Sequence, residues 1–383
     1  MLFSKEQPIY LDYAATTPVS RRVAEAMAPY FSEKFGNPSS LHRKGQEAQA
    51  AIDSARATVA QLLEVSWKEV FFTASATESL NTILRGIAMA AREGGIATPH
   101  IITTNIEHSA VLETCRALEH WGIEVTYLPV TSEGLINAQQ VKEALKETTV
   151  LVSVMYVNNE IGTIQPIREI AEVLKGTKTL LHTDAVQAAN YLDIRPATLG
   201  VDLMTLSGHK IYGPKGVGLL YKKERVAMAP LLTGGGQERG MRGGTENVPA
   251  IVGFAEALAE TTELRESEAT RLRALRDSFF EHIETIEGVT INGSRAHRVA
   301  NNINVSLEGV GAEIAIPWMD ERHIYVSSAS ACTARVPEPS HVIAALGEKT
   351  LAKNSIRFTL GRDTDKNDIE RAVQAVVELK KEH

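Results

Sequence analysis

Short apolar runs alternate with segments of helical spacing through most of the chain before Pro249. VFFT at 70–73 and HIITT at 100–104 each precede a helical segment, and VTYLPV, TVLVSVMYV, TLLHTD and DLMTLS follow further along the chain. Apolar runs of this length, joined by helices, are typical of strands buried on both faces of a sheet. The pattern predicts an α/β fold with a mostly parallel sheet flanked by helices.

The pattern changes after Pro249. A long helical segment is followed by two alternating stretches, NNINVSL and SIRFTL, and by a final helix, which predicts a smaller α+β domain. The 383 residues are enough for two domains. We place the large domain at 14–255 and the small domain at 1–13 and 256–383. Within the small domain, Pro317 is expected to interrupt a helix.

Charge and cysteine content narrow the class of protein. The formal net charge is −7 and no block of Lys or Arg stands out, which argues against nucleic acid or an anionic membrane as the main partner. We expect no membrane span and no signal peptide, because long apolar runs and a basic start are missing. With only Cys115 and Cys332, a disulfide framework or a thiolate metal site is not expected, and a reducing cytoplasm is the natural setting.

The stretch SGHKIYGPKGVGLLY, at 207–221, places Lys210 where an apolar strand ends. Ligands of open α/β sheets bind outside the carboxyl ends of the strands. A lysine there can form an imine with an aldehyde cofactor. The same residues also fit a surface lysine in a turn.

HTDAVQ, at 182–187, places Asp184 at the end of another apolar strand. A pyridoxal cofactor needs an acid at its ring nitrogen, and Gln187 could hydrogen-bond the ring hydroxyl. The alternative is that Asp184 only caps the next helix.

TASATES, at 73–79, sets small hydroxyl residues between a strand and a helix. Backbone amides at a helix N-terminus bind phosphate, and Ala76 and Thr77 would line such a cup. A simple Ser or Thr cap is the alternative. No nucleotide P-loop pattern occurs in the chain.

The two cysteines differ in their surroundings. Cys332 lies in SSASACTARVPEPS, a polar stretch of small residues that favours an exposed, nucleophilic thiol. Cys115 lies between Leu112 and Leu118 in a helical segment, which indicates core packing.

Three further polar residues follow or flank predicted strands. His108 could stack on a cofactor ring and move protons, and Arg357 could bind a carboxylate through two hydrogen bonds. Asn159 follows the run TVLVSVMYV. In isolation, His108 is more often a histidine at a helix start, and Asn159 and Arg357 could equally be surface residues or salt-bridge partners.

Taken together, the motifs resemble the cysteine desulfurases of the NifS/IscS type. They are YLDYAATTP, FGNPSS, TASATES, EHSAV, VNNEIG, HTDAVQ, SGHKIYGPKG, GGGQERGMRGGTEN, SSASACT, EPSHV and SIRFTLGR. The resemblance runs from Ile9 to the final helix. It implies fold type I of the pyridoxal-phosphate enzymes, in the class V aminotransferase group, with a mostly parallel seven-stranded sheet and a homodimer whose active sites lie between subunits.

The resemblance also implies a role for each candidate residue. Lys210 carries pyridoxal 5'-phosphate, Asp184 pairs with its ring nitrogen, and His108 stacks over the ring. The residues implied near the ring hydroxyl are Asn159 and Gln187, and those implied at the phosphate are Ala76, Thr77, Ser207, His209 and, from the neighbouring subunit, Thr245. Arg357 binds the substrate carboxylate, and Cys332 attacks the substrate sulfur.

The implied reaction converts L-cysteine to L-alanine and leaves a persulfide on Cys332 for delivery to an acceptor protein, such as an iron–sulfur scaffold. Selenocysteine lyase or another class V reaction is the alternative enzyme. A non-catalytic, partner-binding subunit is the alternative from another class, although the retention of Lys210, Asp184, His108 and Cys332 argues against it. No metal is expected.

Overall fold

The computed structural model describes residues 7–328, 339–347 and 350–383. The strands in these ranges are β1 (Ile9–Tyr10), β2 (Val70–Thr73), β3 (His100–Thr104), β4 (Glu124–Leu128), β5 (Thr149–Ser153), β6 (Leu180–Asp184), β7 (Leu203–Ser207), β8 (Gly218–Lys222), β9 (Val289–Ile291), β10 (Asn302–Leu307), β11 (Ile324–Tyr325), β12 (Ser327–Ser328) and β13 (Ser355–Thr359). No helix in these ranges is long and apolar enough to cross a membrane.

The same ranges contain both short and long helices. They are α1 (Arg21–Met27), α2 (Pro29–Ser32), α3 (Arg43–Leu63), α4 (Ala76–Glu93), α5 (Ser109–His120), α6 (Ala138–Ala144), α7 (Ile167–Leu174), α8 (Pro196–Leu199), α9 (Val248–Ile283), α10 (Ala312–Glu321), α11 (His341–Ala345) and α12 (Lys366–Glu382).

The central sheet has seven strands in the order β2-β8-β7-β6-β5-β3-β4. Strand β8 is antiparallel to both of its neighbours, and the other pairs are parallel. The mostly parallel α/β sheet predicted from the sequence is confirmed. Parallel pairing brings the carboxyl ends of β3, β5, β6 and β7 to one edge of the sheet.

Strand side chains alternate between two apolar layers, one on each face of the sheet. Phe72 and Ile102 pack in one layer, and their neighbours Phe71 and Ile101 pack in the other. All four are almost fully buried. Because both faces are covered, the strands appear in the sequence as continuous apolar runs.

A second sheet, in the order β12-β13-β10-β9, is antiparallel throughout. It packs with α12 and the second half of α9 around a separate apolar cluster that includes Phe279 and Phe358. Ile9 and Leu11 of the N-terminal arm join this cluster. Along α9, Leu258 still belongs to the cluster of the central sheet and Ala269 belongs to the second cluster. The division that we propose at residue 255 lies just before this change, within the unbroken helix α9.

Pro317 lies inside α10, so the expectation that it would interrupt a helix there is wrong. A proline frees the carbonyl four residues earlier, here that of Glu313. Both Pro317 and Glu313 are exposed, so water can solvate the freed carbonyl. Trp318 and Met319 are buried on the other face and keep the helix packed.

The glycine-rich segment before α9 is held to the sheet by a buried ion pair. Arg56 donates to both carboxylate oxygens of Glu238 at 2.8 and 2.7 Å, and the Phe72 N–H donates to the same carboxylate at 3.0 Å. Glu238 and Arg239 both have positive φ, of 45° and 55°. Non-glycine residues adopt that region only where surrounding contacts impose it.

Replacement of Glu238 by Ala is expected to lower the free energy of unfolding by about 3–5 kcal/mol, because the buried Arg56 would lose its counter-charge. Urea unfolding followed by tryptophan fluorescence measures the change. The control is Glu25→Ala, which breaks the exposed Arg21–Glu25 pair and should cost about 0.5 kcal/mol or less. Equal effects of the two substitutions would contradict this account of the segment.

Candidate active site

A cavity of about 330 Å³ opens at the edge of the sheet where the parallel strands end. Segments that follow β2, β3, β5, β6 and β7 contribute to its wall, together with the N-terminal arm and β13. The residues that line it are Ala14, Ala15, Ser75, Ala76, Thr77, Leu80, His108, Met155, Val157, Asn159, Asp184, Val186, Gln187, Ser207, His209, Lys210 and Arg357.

Ten of the twelve residues selected from the sequence line this one cavity. They are Ala76, Thr77, His108, Asn159, Asp184, Gln187, Ser207, His209, Lys210 and Arg357. Thr245 is exposed and does not line it. Cys332 lies outside the described residues.

Lys210 follows β7 in a short 3-10 turn. Its Nζ donates to the carbonyl oxygens of Ala14 and Ala15 at 2.5 and 2.7 Å, and its own carbonyl accepts from Asn190 at 2.6 Å. The N-terminal arm therefore positions the lysine amine. Sequence reasoning missed Ala14 and Ala15, although the motif YAATTP contains them.

Asp184 ends β6 and is 7% exposed. Burial raises the pKa of its carboxyl to about 6, while the N–H of Val186 and the charge of Lys210 act in the opposite direction. The group is therefore mostly ionised at neutral pH. A buried carboxylate at the cavity wall is suited to bind a protonated ring nitrogen.

His108 is the N-cap of α5, and its Nδ1 accepts from the N–H of Ala110 at 3.1 Å. Burial, together with the smaller effects of the charges of Lys210 and His341, lowers the pKa of His108 to about 4. The ring is therefore neutral at physiological pH. With Nδ1 accepting, its proton resides on Nε2.

The N-terminus of α4 forms a cup for an anion. Ser75 caps the helix by accepting from the N–H of Glu78 at 3.1 Å, which leaves the first helical amides, including those of Ala76 and Thr77, without helical partners. The dipole of this 18-residue helix adds positive potential there. Ser207 and His209 line the same cavity.

Gly218 of β8 lets that strand approach the cup closely. A Cβ on Gly218 would lie 2.5 Å from the carbonyl carbon of Ser75 and 2.8 Å from Oγ1 of Thr73. Such contacts cannot be accommodated without a backbone shift. The residue type at 218 is therefore fixed by the geometry of the helix cap.

Arg357 enters the cavity from the second sheet. Its terminal nitrogens donate to the carbonyl of Asn159 at 2.9 Å and to Asp12 at 2.7 Å. Its Nε is buried and has no hydrogen-bond partner among the described residues. A buried guanidinium N–H without an acceptor is costly, and a ligand carboxylate would supply one.

Sequence reasoning also missed two buried carboxyl groups next to predicted residues. Glu107 accepts from Thr104 and from the N–H of Met155, and burial raises its pKa to about 8. Burial raises the pKa of Glu160 to about 7. Their positions beside His108 and Asn159 were the available signal.

The cavity fits pyridoxal phosphate at three points. The α4 cup suits its phosphate, Asp184 suits its ring nitrogen, and the Lys210 amine suits its aldehyde. In addition, the Nε–H of Arg357 has no acceptor among the described residues and is suited to donate to an amino acid carboxylate.

Comparisons with known proteins agree with this geometry. The model of the aminotransferase class-V family matches residues 9–372. A cysteine desulfurase IscS of Dictyoglomus turgidum is 45% identical over 366 residues, which cover 95% of this chain and 92% of the relative. A solved NifS-like protein superposes with a TM-score of 0.90 at 37% identity, covering 97% of this chain and 99% of its own. A structure of SspA in complex with cysteine has a TM-score of 0.81 at 39% identity, covering 92% and 98%.

Replacement of Gly218 by Ala is expected to weaken binding of pyridoxal phosphate by at least about tenfold, because the added Cβ would displace the α4 cap that is suited to hold the phosphate. Titration of the apo-protein with the cofactor, followed by absorbance, measures the change. Gly236→Ala is the control, since a Cβ there meets nothing within 4 Å. Unchanged affinity in the Gly218 variant would contradict the assignment of the cup.

Proposed function

This chain belongs to the aminotransferase class-V family and is a pyridoxal-phosphate-dependent cysteine desulfurase; we propose that Lys210, Asp184, His108, Arg357 and Cys332 carry its chemistry. The observation that supports these roles is the convergence of four of them on one cavity. Cys332 lies outside the described residues, and its role rests on the sequence.

The cofactor would be held by its three polar groups. Ala76, Thr77, Ser207 and His209 would bind the phosphate, and Asp184 would bind the ring nitrogen. When bound, pyridoxal phosphate supplies an aldehyde carbon for amino groups and a protonated ring that draws electrons from the substrate α-carbon.

The substrate L-cysteine would be oriented by its carboxylate. Arg357 is already held by hydrogen bonds to Asn159 and Asp12. Binding of a carboxylate through its Nε–H would therefore cost little further side-chain entropy. Asn159 and Gln187 would lie near the ring hydroxyl. Gln187 is itself held by the carbonyl of Ala14 at 3.0 Å.

Proton transfers would be divided between two side chains. The Lys210 amine would remove the α-proton once the substrate amine has replaced it. His108 is neutral, with its proton on Nε2, and would stack on the ring and donate or accept a proton there.

Sulfur transfer would occur at Cys332. Its thiolate attacks the substrate sulfur, so an S–S bond forms and the Cβ–S bond breaks. The electron pair of the broken bond stays on Cβ, which takes a proton to become a methyl group. Cα then takes back a proton from the protonated Lys210 amine, which completes L-alanine. The persulfide on Cys332 is then available to an acceptor protein.

We also propose the assembly and setting in which the enzyme works. Thr245 is exposed and outside its own cavity, which supports a homodimer in which it reaches the partner's phosphate. Phe31, Phe35 and Leu41 are 65%, 68% and 92% exposed, which supports burial between subunits. A reducing cytoplasm would keep the Cys332 thiol available, and an iron–sulfur scaffold is one candidate acceptor.

Replacement of Cys332 by Ser is expected to lower release of alanine and sulfide from L-cysteine, in the presence of a thiol reductant, by at least about 100-fold, because no nucleophile remains to take the sulfur. The cofactor absorbance should be retained. The matched control is Cys115→Ala. Cys115 is fully buried and burial raises its pKa to about 12, so activity should stay within about threefold. Equal release from wild type and Cys332→Ser would remove Cys332 from the reaction.

Replacement of Arg357 by Lys is expected to raise KM for L-cysteine by about 10- to 100-fold, because an ammonium group cannot donate to Asn159, to Asp12 and to a substrate carboxylate from the positions of the planar guanidinium nitrogens. Steady-state kinetics measure the change, with the exposed Arg21→Lys as control. A KM unchanged in the Arg357 variant would contradict its role at the carboxylate.

A further inference from the structure

Strand β12 ends at Ser328, and the described chain resumes at residue 339. The sequence between these points contains Cys332. On the first side, Ser327 lies opposite Arg357 in the antiparallel pairing of β12 with β13. The segment with the sulfur-accepting cysteine therefore begins beside the proposed carboxylate-binding arginine.

On the second side, the chain is fixed at Ser340. This residue is 1% exposed and caps α11 by accepting from the N–H of Ile343 at 3.0 Å. Its hydroxyl donates to a carboxylate oxygen of Glu160 at 2.5 Å. The next residue, His341, contacts the carbonyl oxygen of Glu107 through Nε2 at 3.0 Å.

Glu160 is itself held rigidly. Its N–H donates to Asn158 at 2.9 Å, and its carbonyl accepts from Asn302 and Asn304 at 3.0 and 3.1 Å. It is 4% exposed. A carboxyl group in such a position is costly to bury unless its hydrogen bonds are made.

Glu160 also adjoins the substrate pocket. The preceding residue, Asn159, lines the cavity and accepts from Arg357 through its carbonyl. The charge of Arg357 stabilises the ionised form of Glu160. Arg357 therefore adjoins both ends of the segment that contains Cys332. It lies opposite Ser327 in the sheet, and it is connected to Ser340 through Asn159 and Glu160.

We propose that Glu160 is a positioning residue for sulfur transfer, which acts through Ser340 to fix the end of the Cys332 segment relative to Arg357. This inference rests on the proposed roles of Cys332 and Arg357. In the sequence, Cys332 is four residues after Ser328 and eight residues before Ser340. Tethering both ends raises the concentration of the thiol at the substrate sulfur.

The experiment compares Ser340→Ala, Glu160→Ala, the double variant and Glu160→Gln in the holoenzyme. The first readout is the rate at which Cys332 gains a persulfide from L-cysteine in a single turnover, followed by mass spectrometry. The second is exchange of the Cα proton of L-alanine in D2O, followed by NMR, which needs Lys210 but no sulfur transfer.

Persulfide formation is expected to fall about tenfold in each Ala variant, since either change removes the same hydrogen bond. The double variant should be no slower than the slower single one, because the two residues act as a unit. Glu160→Gln should stay within about threefold, since its amide oxygen still accepts from Ser340. Alanine exchange should change by less than about twofold. The control is Ser66→Ala, which removes the exposed cap of the 3-10 helix Trp67–Glu69. It should leave both rates unchanged.

The inference would be overturned if the effects of the two Ala substitutions multiplied in the double variant. It would also be overturned if alanine exchange fell in parallel with persulfide formation, or if both Ala variants formed the persulfide at the wild-type rate. Glu160→Gln as slow as Glu160→Ala would overturn it as well. A wild-type enzyme that forms no persulfide on Cys332 would instead overturn the proposed function, and this inference with it.

Discussion

Parallel strand pairing is the constraint on which the rest of this structure depends. Parallel strands place all their carboxyl ends at one edge, so polar residues far apart in the chain meet there. Asp184 ends β6, His108 and Lys210 follow β3 and β7, and all three line one cavity for this reason. Each lies at or shortly after the carboxyl end of a buried strand, so the packed sheet fixes the position of its backbone.

The second sheet and the N-terminal arm complete what the central sheet begins. The arm supplies the carbonyls that hold the Lys210 amine, and β13 supplies Arg357. Arg357 bonds to Asp12 and to the carbonyl of Asn159, so it joins the arm, the central sheet and the second sheet at one point. A cavity assembled from these parts depends on the packing of both apolar clusters, which explains why its residues span nearly the whole chain.

The sequence was sufficient for the central sheet and for much of the cavity wall, because both follow from local patterns. Strands buried on both faces are continuous apolar runs, and the residues after them, such as Asp184 and Lys210, can be read directly. Contacts between distant segments cannot be read in this way. The carbonyls of Ala14 and Ala15 have no side-chain signature, and the burial of Glu107 and Glu160 depends on what packs over them. Pro317 was misjudged because the exposure of the carbonyl it frees is also set by packing.

The proposed chemistry depends on Lys210 as the residue that binds the cofactor aldehyde. Reduction of the holoenzyme with borohydride, followed by proteolysis and mass spectrometry, tests this most directly, because it makes the link between lysine and cofactor permanent. We expect a phosphopyridoxyl group on Lys210 and no such group in Lys210→Ala. A cofactor adduct on any other lysine, or the same adduct yield in Lys210→Ala, would contradict it.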